Sequence, residues 1–422
     1  MNFTYYLNST YDAKKRQPKA GRGQAEAGII IQMPLGLYIS VPFCRTKCTY
    51  CNFASDVFSR TVFEKYVDRV CTEIAAAPEN TRQMGGSFVR ATDSIYFGGG
   101  TPTLLEVSQL ERIFVSIRQN FDLQPEAEIT VECAPGTLSE EKIEALAHSG
   151  VNRVSLGVQS FVDHEAASVG RLHKRDIVLG DIARLRGAGI SNVNVDLIAG
   201  LPHQRRESWE KSLDELIATG VSPASIYMLE VDEDSRLGRE LIAGGQKYHA
   251  HFVPDEDLTA DMYEIACERL NGAGIEQYEI SNFARPGFES KHNLKYWTRQ
   301  PYLGFGVDAH SMLRSEDGAV RFANSDTLQK YMAGDLPDSS VVSPEAALQE
   351  CFFLGLRLNC GIDLSSMRTK FGEAAVNEFR DTMTDLVTSG VLAAKGEIIR
   401  LTARGRLLSN EVFQRFISTP AL

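Results

Sequence analysis

Cys44, Cys48 and Cys51 stand in the segment YISVPFCRTKCTYCNF, a C-x3-C-x2-C spacing that puts three thiols on one tight loop. Soft thiolates select iron–sulfur centres or zinc. A structural zinc site wants four ligands, and neither a fourth Cys nor a His lies close by in the sequence. Three thiolates can hold three irons of a 4Fe–4S cubane and leave the fourth iron open. An open coordination position is where a metal centre does chemistry. The other five cysteines, Cys71, Cys133, Cys267, Cys351 and Cys360, are scattered along the 422 residues. That is no secreted disulfide framework, and it reads as a reducing cytoplasm with one metal site.

Further candidates sit where apolar runs end. Gly98-Gly99-Gly100-Thr101-Pro102 follows the run SIYF, and glycines let backbone come close to a ligand. Glu132 closes an apolar run, a costly place for a charge unless it meets a cation. Arg171 could clamp a carboxylate with two parallel bonds, and Asp196 could accept from hydroxyl groups. Read singly, each of these three is better taken as an ordinary ion pair; their shared place at strand ends favours a ligand. Far downstream, HNLKYW offers His292 as an axial ligand for heme iron, with Tyr and Trp as flat apolar surface, although taken alone six such residues are more often ordinary packing. The stretch before it, SNFARPGFESK, has the Pro and Gly of a loop, so His292 is expected to be reachable. His173 and His310 read as local hydrogen bonders, and His249 and His251 as solvated.

The elements that must position these residues alternate. From about Leu35 to Gly200, short apolar runs alternate with amphipathic stretches such as Phe63 to Ala77 and Gln109 to Phe121, and a further helix and strand, SWEKSLDELIATG and PASIYMLEV, follow. This is the βαβ rhythm of a parallel sheet. About six units appear, fewer than a closed eight-fold barrel needs, so the expected fold is α/β, a partial parallel β/α barrel over 34–300. In such sheets ligands bind at the carboxyl ends of the strands. The cysteines, GGGTP, Glu132, Gln159 and Asp196 all fall there. A C-terminal domain is expected over 301–422. From about residue 343 it reads as helices, a short hairpin around Lys395-Gly396, and a last helix, an order similar to a winged helix.

Residues 1–33 read as a polar extension. Their basic cluster (Lys14, Lys15, Arg16, Lys19, Arg22) suits a solvated tail or a peripheral contact with anionic lipid. A net charge of −11 argues against nucleic acid as a partner. No uncharged apolar run is long enough to span a membrane. The sequence leaves open whether the chain is a homodimer.

The cysteine motif resembles that of the radical S-adenosylmethionine superfamily. With YFGGGTP, ECAPGTL, RVSLGVQSF, GRLH, NVDLIAGLP, HNLKYW and YLGFGVDAHS, the likeness narrows to the HemN/HemW family. That family holds the oxygen-independent coproporphyrinogen III oxidases and a sister group of heme chaperones. The resemblance implies a 4Fe–4S cluster whose open iron takes S-adenosylmethionine. It also implies ligand-binding roles for Tyr38, Tyr50, Gly100, Thr101, Glu132, Gln159, Arg171 and Asp196. The oxidases carry a further cysteine two residues after the third, where this chain has Phe53, and the chaperones carry HNxxYW. Both features point to the chaperone branch, and so to a chain that binds heme, with His292 as ligand. Such a chain hands heme to an acceptor hemoprotein, a membrane-bound respiratory one among the options. The alternatives are radical decarboxylation of coproporphyrinogen III and, less favoured, radical methyl transfer.

Overall fold

The computed structural model describes residues 33–316 and 318–417. The extension expected over 1–33, Met33 apart, lies outside the described residues.

Six strands run parallel in chain order: β1 (Leu35–Val41), β2 (Ala91–Gly99), β3 (Asp122–Cys133), β4 (Arg153–Gln159), β5 (Asn192–Ala199) and β6 (Ala224–Met228). Their residues alternate strictly. Leu37, Ile39, Ile95, Phe97, Val131, Leu156 and Val195 join a core with Val67, Ile74, Ile113 and Leu185 of the connecting helices. The alternate positions are polar: Ser94 and Tyr96, Glu128 and Glu132, Asn194 and Asp196. They bond to one another across strands, as Tyr96 does to Glu132 and Ser155 to Asp196. A sheet with apolar residues toward its helices and polar ones on the other face has a lined, working lumen rather than a packed core.

Six more strands extend this sheet. β7 (Glu276–Gln277) and β8 (Asn282–Ala284) follow β6 antiparallel, while β9 (Tyr302–Phe305) runs parallel to β1 on the other edge. β10 (His310–Ser315), β11 (Gly318–Ala323) and β12 (Ser339–Val342) continue outward antiparallel. The stretch 301–342, expected in the C-terminal domain, therefore belongs to the barrel sheet. The apolar alternation of YLGF and of the hairpin strands is satisfied only by pairing there.

A second core joins Ile280 to Leu348, Phe352 and Leu356 and ends with Phe413 and Phe416. It wraps a small sheet of β13 (Ile362–Asp363), β14 (Leu392–Lys395) and β15 (Ile398–Leu401), with β15 in the middle. Two buried ion-pair sets fasten it to the barrel. Glu350 meets both Arg299 and Arg321, and Glu279 meets Arg357 at 3.0 Å.

Residues 285–288 form an exposed loop, but His292 does not sit on it. Ser290 caps a helix, Lys291–Trp297, whose first amides also bond Glu128. Lys295 reaches Asp93, and Arg153 reaches the Phe288 carbonyl. These partners lie toward the amino ends of β2, β3 and β4. The helix thus floors the barrel at the end opposite the cysteines.

Candidate metal centre and ligand cradle

The cysteine loop leaves the carboxyl end of β1 and is fixed without help from its thiols. Cys44 N donates to Asp56 O (3.0 Å), and Asp56 N returns a bond to Pro42 O (2.9 Å), closing the loop at its neck. Lys47 Nζ turns inward to the carbonyls of Phe53 and Ser55. Thr49 N and Thr46 Oγ1 donate to Val169 O and Gly170 O, and Leu237 N donates to Thr49 O. The three thiols are partly exposed. Burial raises the pKa of Cys44 and Cys51, and each feels the charge of Cys48. Among the described residues, no three Cys, His, Asp or Glu side chains converge on a single-ion position. A cubane does not need that convergence, because its thiolates attach to different irons.

Beside the loop lies the glycine turn. Gly100 N donates to Val41 O and Thr101 N to Phe43 O, both at 2.8 Å. A Cβ on Gly100 would stand 2.7 Å from each of two backbone oxygens, Val41 O and Phe43 O. Only glycine fits there. Gly100→Ala is therefore expected to push the turn off β1, lose both bonds and weaken S-adenosylmethionine binding by at least about tenfold. Equilibrium dialysis of the iron-loaded protein reads this, and unchanged affinity would remove the turn from the cradle.

The lumen behind holds the remaining candidates. Tyr38 stacks on Tyr96, ring centres 6.2 Å apart, and Tyr96 OH donates to Glu132 Oε1 at 2.8 Å. Asp196 accepts from Ser155 Oγ (3.1 Å) and Asn194 Nδ2 (2.6 Å). Arg171 Nη2 reaches Tyr50 OH at 3.2 Å. Gln159 is held at φ +68°, in the left-handed region. Its Oε1 and the Nε of Arg171 are buried and have no partner among the described residues. Buried polar atoms left unbonded are costly and point to a ligand. Tyr96, Ser155 and Asn194 were not singled out from sequence, although their even spacing with Ser94, Gly157 and Asp196 was the available signal.

Burial pushes Glu132 up to about 7, helped by the nearby Asp196 charge. A carboxyl with a raised folded pKa binds its proton more tightly folded than unfolded. It therefore costs stability as pH rises from about 4.5, with the full cost above about 7. Glu132→Gln is expected to stabilise the ligand-free protein at pH 8 by up to about 3 kcal/mol and by much less at pH 5. At either pH it should weaken ligand binding. Denaturant midpoints at the two pH values check the sign; equal shifts would refute it.

His292, expected within reach, is fully buried. Nδ1 is 3.0 Å from Ser94 Oγ and Nε2 is 2.9 Å from Tyr296 OH. Its ring lies 5.4 Å from that of Tyr96, below the lumen. Burial drives its pKa down to about 3, so the imidazole is neutral. His173 is a local bonder, Nε2 to Val158 O at 3.1 Å. His251, expected to be solvated, is exposed beside its neighbour Phe252, whereas His249, expected to be solvated too, is half-buried against the ring of His203.

The donor set, the glycine approach and the two orphaned polar atoms all fit a 4Fe–4S cluster with a bound amino-acid moiety. Cys44, Cys48 and Cys51 would hold the cluster. Gly100, Thr101, Glu132, Gln159, Arg171 and Asp196 would line the S-adenosylmethionine site. When bound, that pair supplies one-electron chemistry.

A three-thiol loop over the mouth of a partial barrel defines a radical S-adenosylmethionine protein, and residues 38–216 match the Radical SAM superfamily. Residues 342–408 match the HemN C-terminal domain. The heme chaperone HemW of Bacillus subtilis is 34% identical over 391 residues, 90% of this chain and 98% of its own. That of Lactococcus lactis is 32% identical over 392 residues, 92% and 98% of the two chains. The chain belongs to the HemW family. The solved coproporphyrinogen III oxidase (HemN) of Escherichia coli shares the fold, with TM-score 0.78 at 24% identity over 91% of this chain and 90% of that one.

Proposed function

We propose that the protein is a heme chaperone. It binds heme and passes it to an acceptor hemoprotein, while the iron–sulfur centre and S-adenosylmethionine govern the transfer. The observation that carries this reading is the near full-length likeness to chains named heme chaperone HemW. Two local features support it: Phe53, 47% exposed where the oxidases have a cysteine, and the HNLKYW helix. No described helix is long and apolar enough to cross a membrane. We place the protein in the cytoplasm, with a membrane-bound hemoprotein as the candidate acceptor. His292 can ligate heme iron only after Ser94 and Tyr296 release it, which requires the floor helix to open.

The test reconstitutes the cluster anaerobically and supplies S-adenosylmethionine, a reductant and coproporphyrinogen III. The expected result is no protoporphyrinogen, together with a Soret band when heme is added. Protoporphyrinogen formation would overturn the reading in favour of the oxidase. Absence of heme binding would overturn it outright.

A further inference from the structure

Four of the eight histidines meet on the carboxyl side of the barrel, outside the cradle. His164 follows β4 and His203 follows β5, while His249 precedes a short turn, Ala250–Phe252, and His251 lies within it. The His203 ring centre lies 4.6 Å from His164, 5.1 Å from His249 and 4.0 Å from Phe252. His251 lies 4.0 Å from the other neighbour of that arrangement, Phe252. His203 Nε2 and His249 Nδ1 share a hydrogen bond at 3.2 Å. The backbone bond from His203 N to Phe252 O (2.9 Å) ties the two loops, and Phe252 N closes its own turn on His249 O (2.9 Å). His203 and His249 both sit in the left-handed region, at φ +67° and +63°. Such backbone persists only where its surroundings impose it, and it gathers at functional sites. Nothing in the cradle uses these rings.

Imidazole clusters serve transition metals. A bare tetrahedral ion would need three or four converging ligands, and no such convergence exists among the described residues. A metalloporphyrin brings four nitrogens of its own and needs only one axial imidazole. The shared hydrogen bond supplies it. Whichever neutral ring donates its N–H, its other nitrogen keeps a lone pair, and the partner ring raises its basicity and fixes its orientation. Burial and the neighbouring imidazoles also hold His203 below the usual histidine value, in the neutral form. Phe252, 46% exposed, offers a flat apolar face, and the exposed Arg205 and Lys247 stand near in sequence to meet carboxylates.

Resting on the heme reading above, we propose that the His203–His249 pair, with Phe252, is the site where heme first lands, by axial ligation at the open mouth of the barrel. His292, sealed beneath the lumen, is then not the entry ligand. Ligation forms one iron–nitrogen bond from an imidazole lone pair and moves no electron.

The test titrates ferric heme into the full chain and reads the Soret band. The variants are His203→Asn and His249→Asn, since Asn tolerates left-handed backbone and spares the fold. Iron content and melting temperature should match the wild type. Heme affinity should fall at least about tenfold, with a shifted Soret maximum. Undiminished affinity in both Asn variants would overturn this site while leaving the heme reading intact. No binding by the wild type would overturn that reading as well.

Discussion

Replacing Cys44, Cys48 and Cys51 together with serine is expected to yield a folded chain that takes up no iron. The loop's neck is a backbone ladder between Pro42, Cys44 and Asp56. Its body is held by Lys47, Thr46 and Thr49, and none of these bonds involves sulfur. Serine hydroxyls are hard and weakly acidic, so they replace neither the softness nor the charge that iron–sulfur needs. Iron and sulfide should drop from about four each per chain to near zero after anaerobic reconstitution. The stability of the metal-free chain should change by less than about 1 kcal/mol, as befits substitutions away from the core. Because burial raises the Cys44 and Cys51 thiols, assembly must release protons. Iron loading of the wild type should therefore be more complete at pH 8.5 than at pH 6.5. Chemical iron and sulfide analysis with circular dichroism checks all of this. A serine variant that keeps its iron would sink the metal assignment.

The chain's local patterns made the six parallel strands legible, because each strand–helix alternation carries its own period. The candidate site was legible for a related reason. In a parallel sheet every strand's carboxyl end meets at one mouth, so residues at those ends are neighbours wherever they fall in sequence. What failed to show was set by long-range pairing. YLGF could have begun a new domain, and only its register with β1, Gly36 opposite Tyr302, places 301–342 in the barrel. His292 looked exposed because Pro286 and Gly287 precede it. The capping of its helix by Glu128 joins partners 164 residues apart, beyond any local rule. The histidine cluster joins positions 164, 203, 249 and 251 in the same way. The polar lumen was visible in principle. Parallel strands covered on both faces by helices read as continuous apolar runs, and these strands alternate instead.

That alternation leads to the second large effect, at the junction of the two cores. Glu279 is completely buried, and Arg357 nearly so. Glu279 Oε1 accepts from Ser281 N and Asn282 Nδ2, and Oε2 accepts from Arg357 Nη2 at 3.0 Å. Asn282 Oδ1 in turn accepts from Ser225 Oγ, which accepts from Asn194, which donates to Asp196 in the cradle. On the other side, the Arg357 guanidinium lies 4.2 Å over the Trp297 ring, at the end of the floor helix. One buried polar chain thus runs from Asp196 of the candidate cradle through the C-terminal domain to the helix that seals His292. Arg357→Met strips the partner from a buried carboxylate and should cost about 3–5 kcal/mol. Glu279→Leu should cost a similar amount for the mirror reason. The double variant should recover most of that loss, because two apolar side chains of similar volume do not leave a charge behind. Urea midpoints for the four proteins close the cycle. A single-variant loss under about 1 kcal/mol, or simple additivity, would refute the pairing. If the chain couples the two ends, Arg357→Met should also speed amide exchange in the helix Lys291–Trp297 ahead of global unfolding, because its clamp over Trp297 loosens first. S-adenosylmethionine, for which Asp196 is a candidate contact, should slow that exchange in the wild type and lose this effect in the variant, since a ligand can protect a distant helix only through a contact that both share.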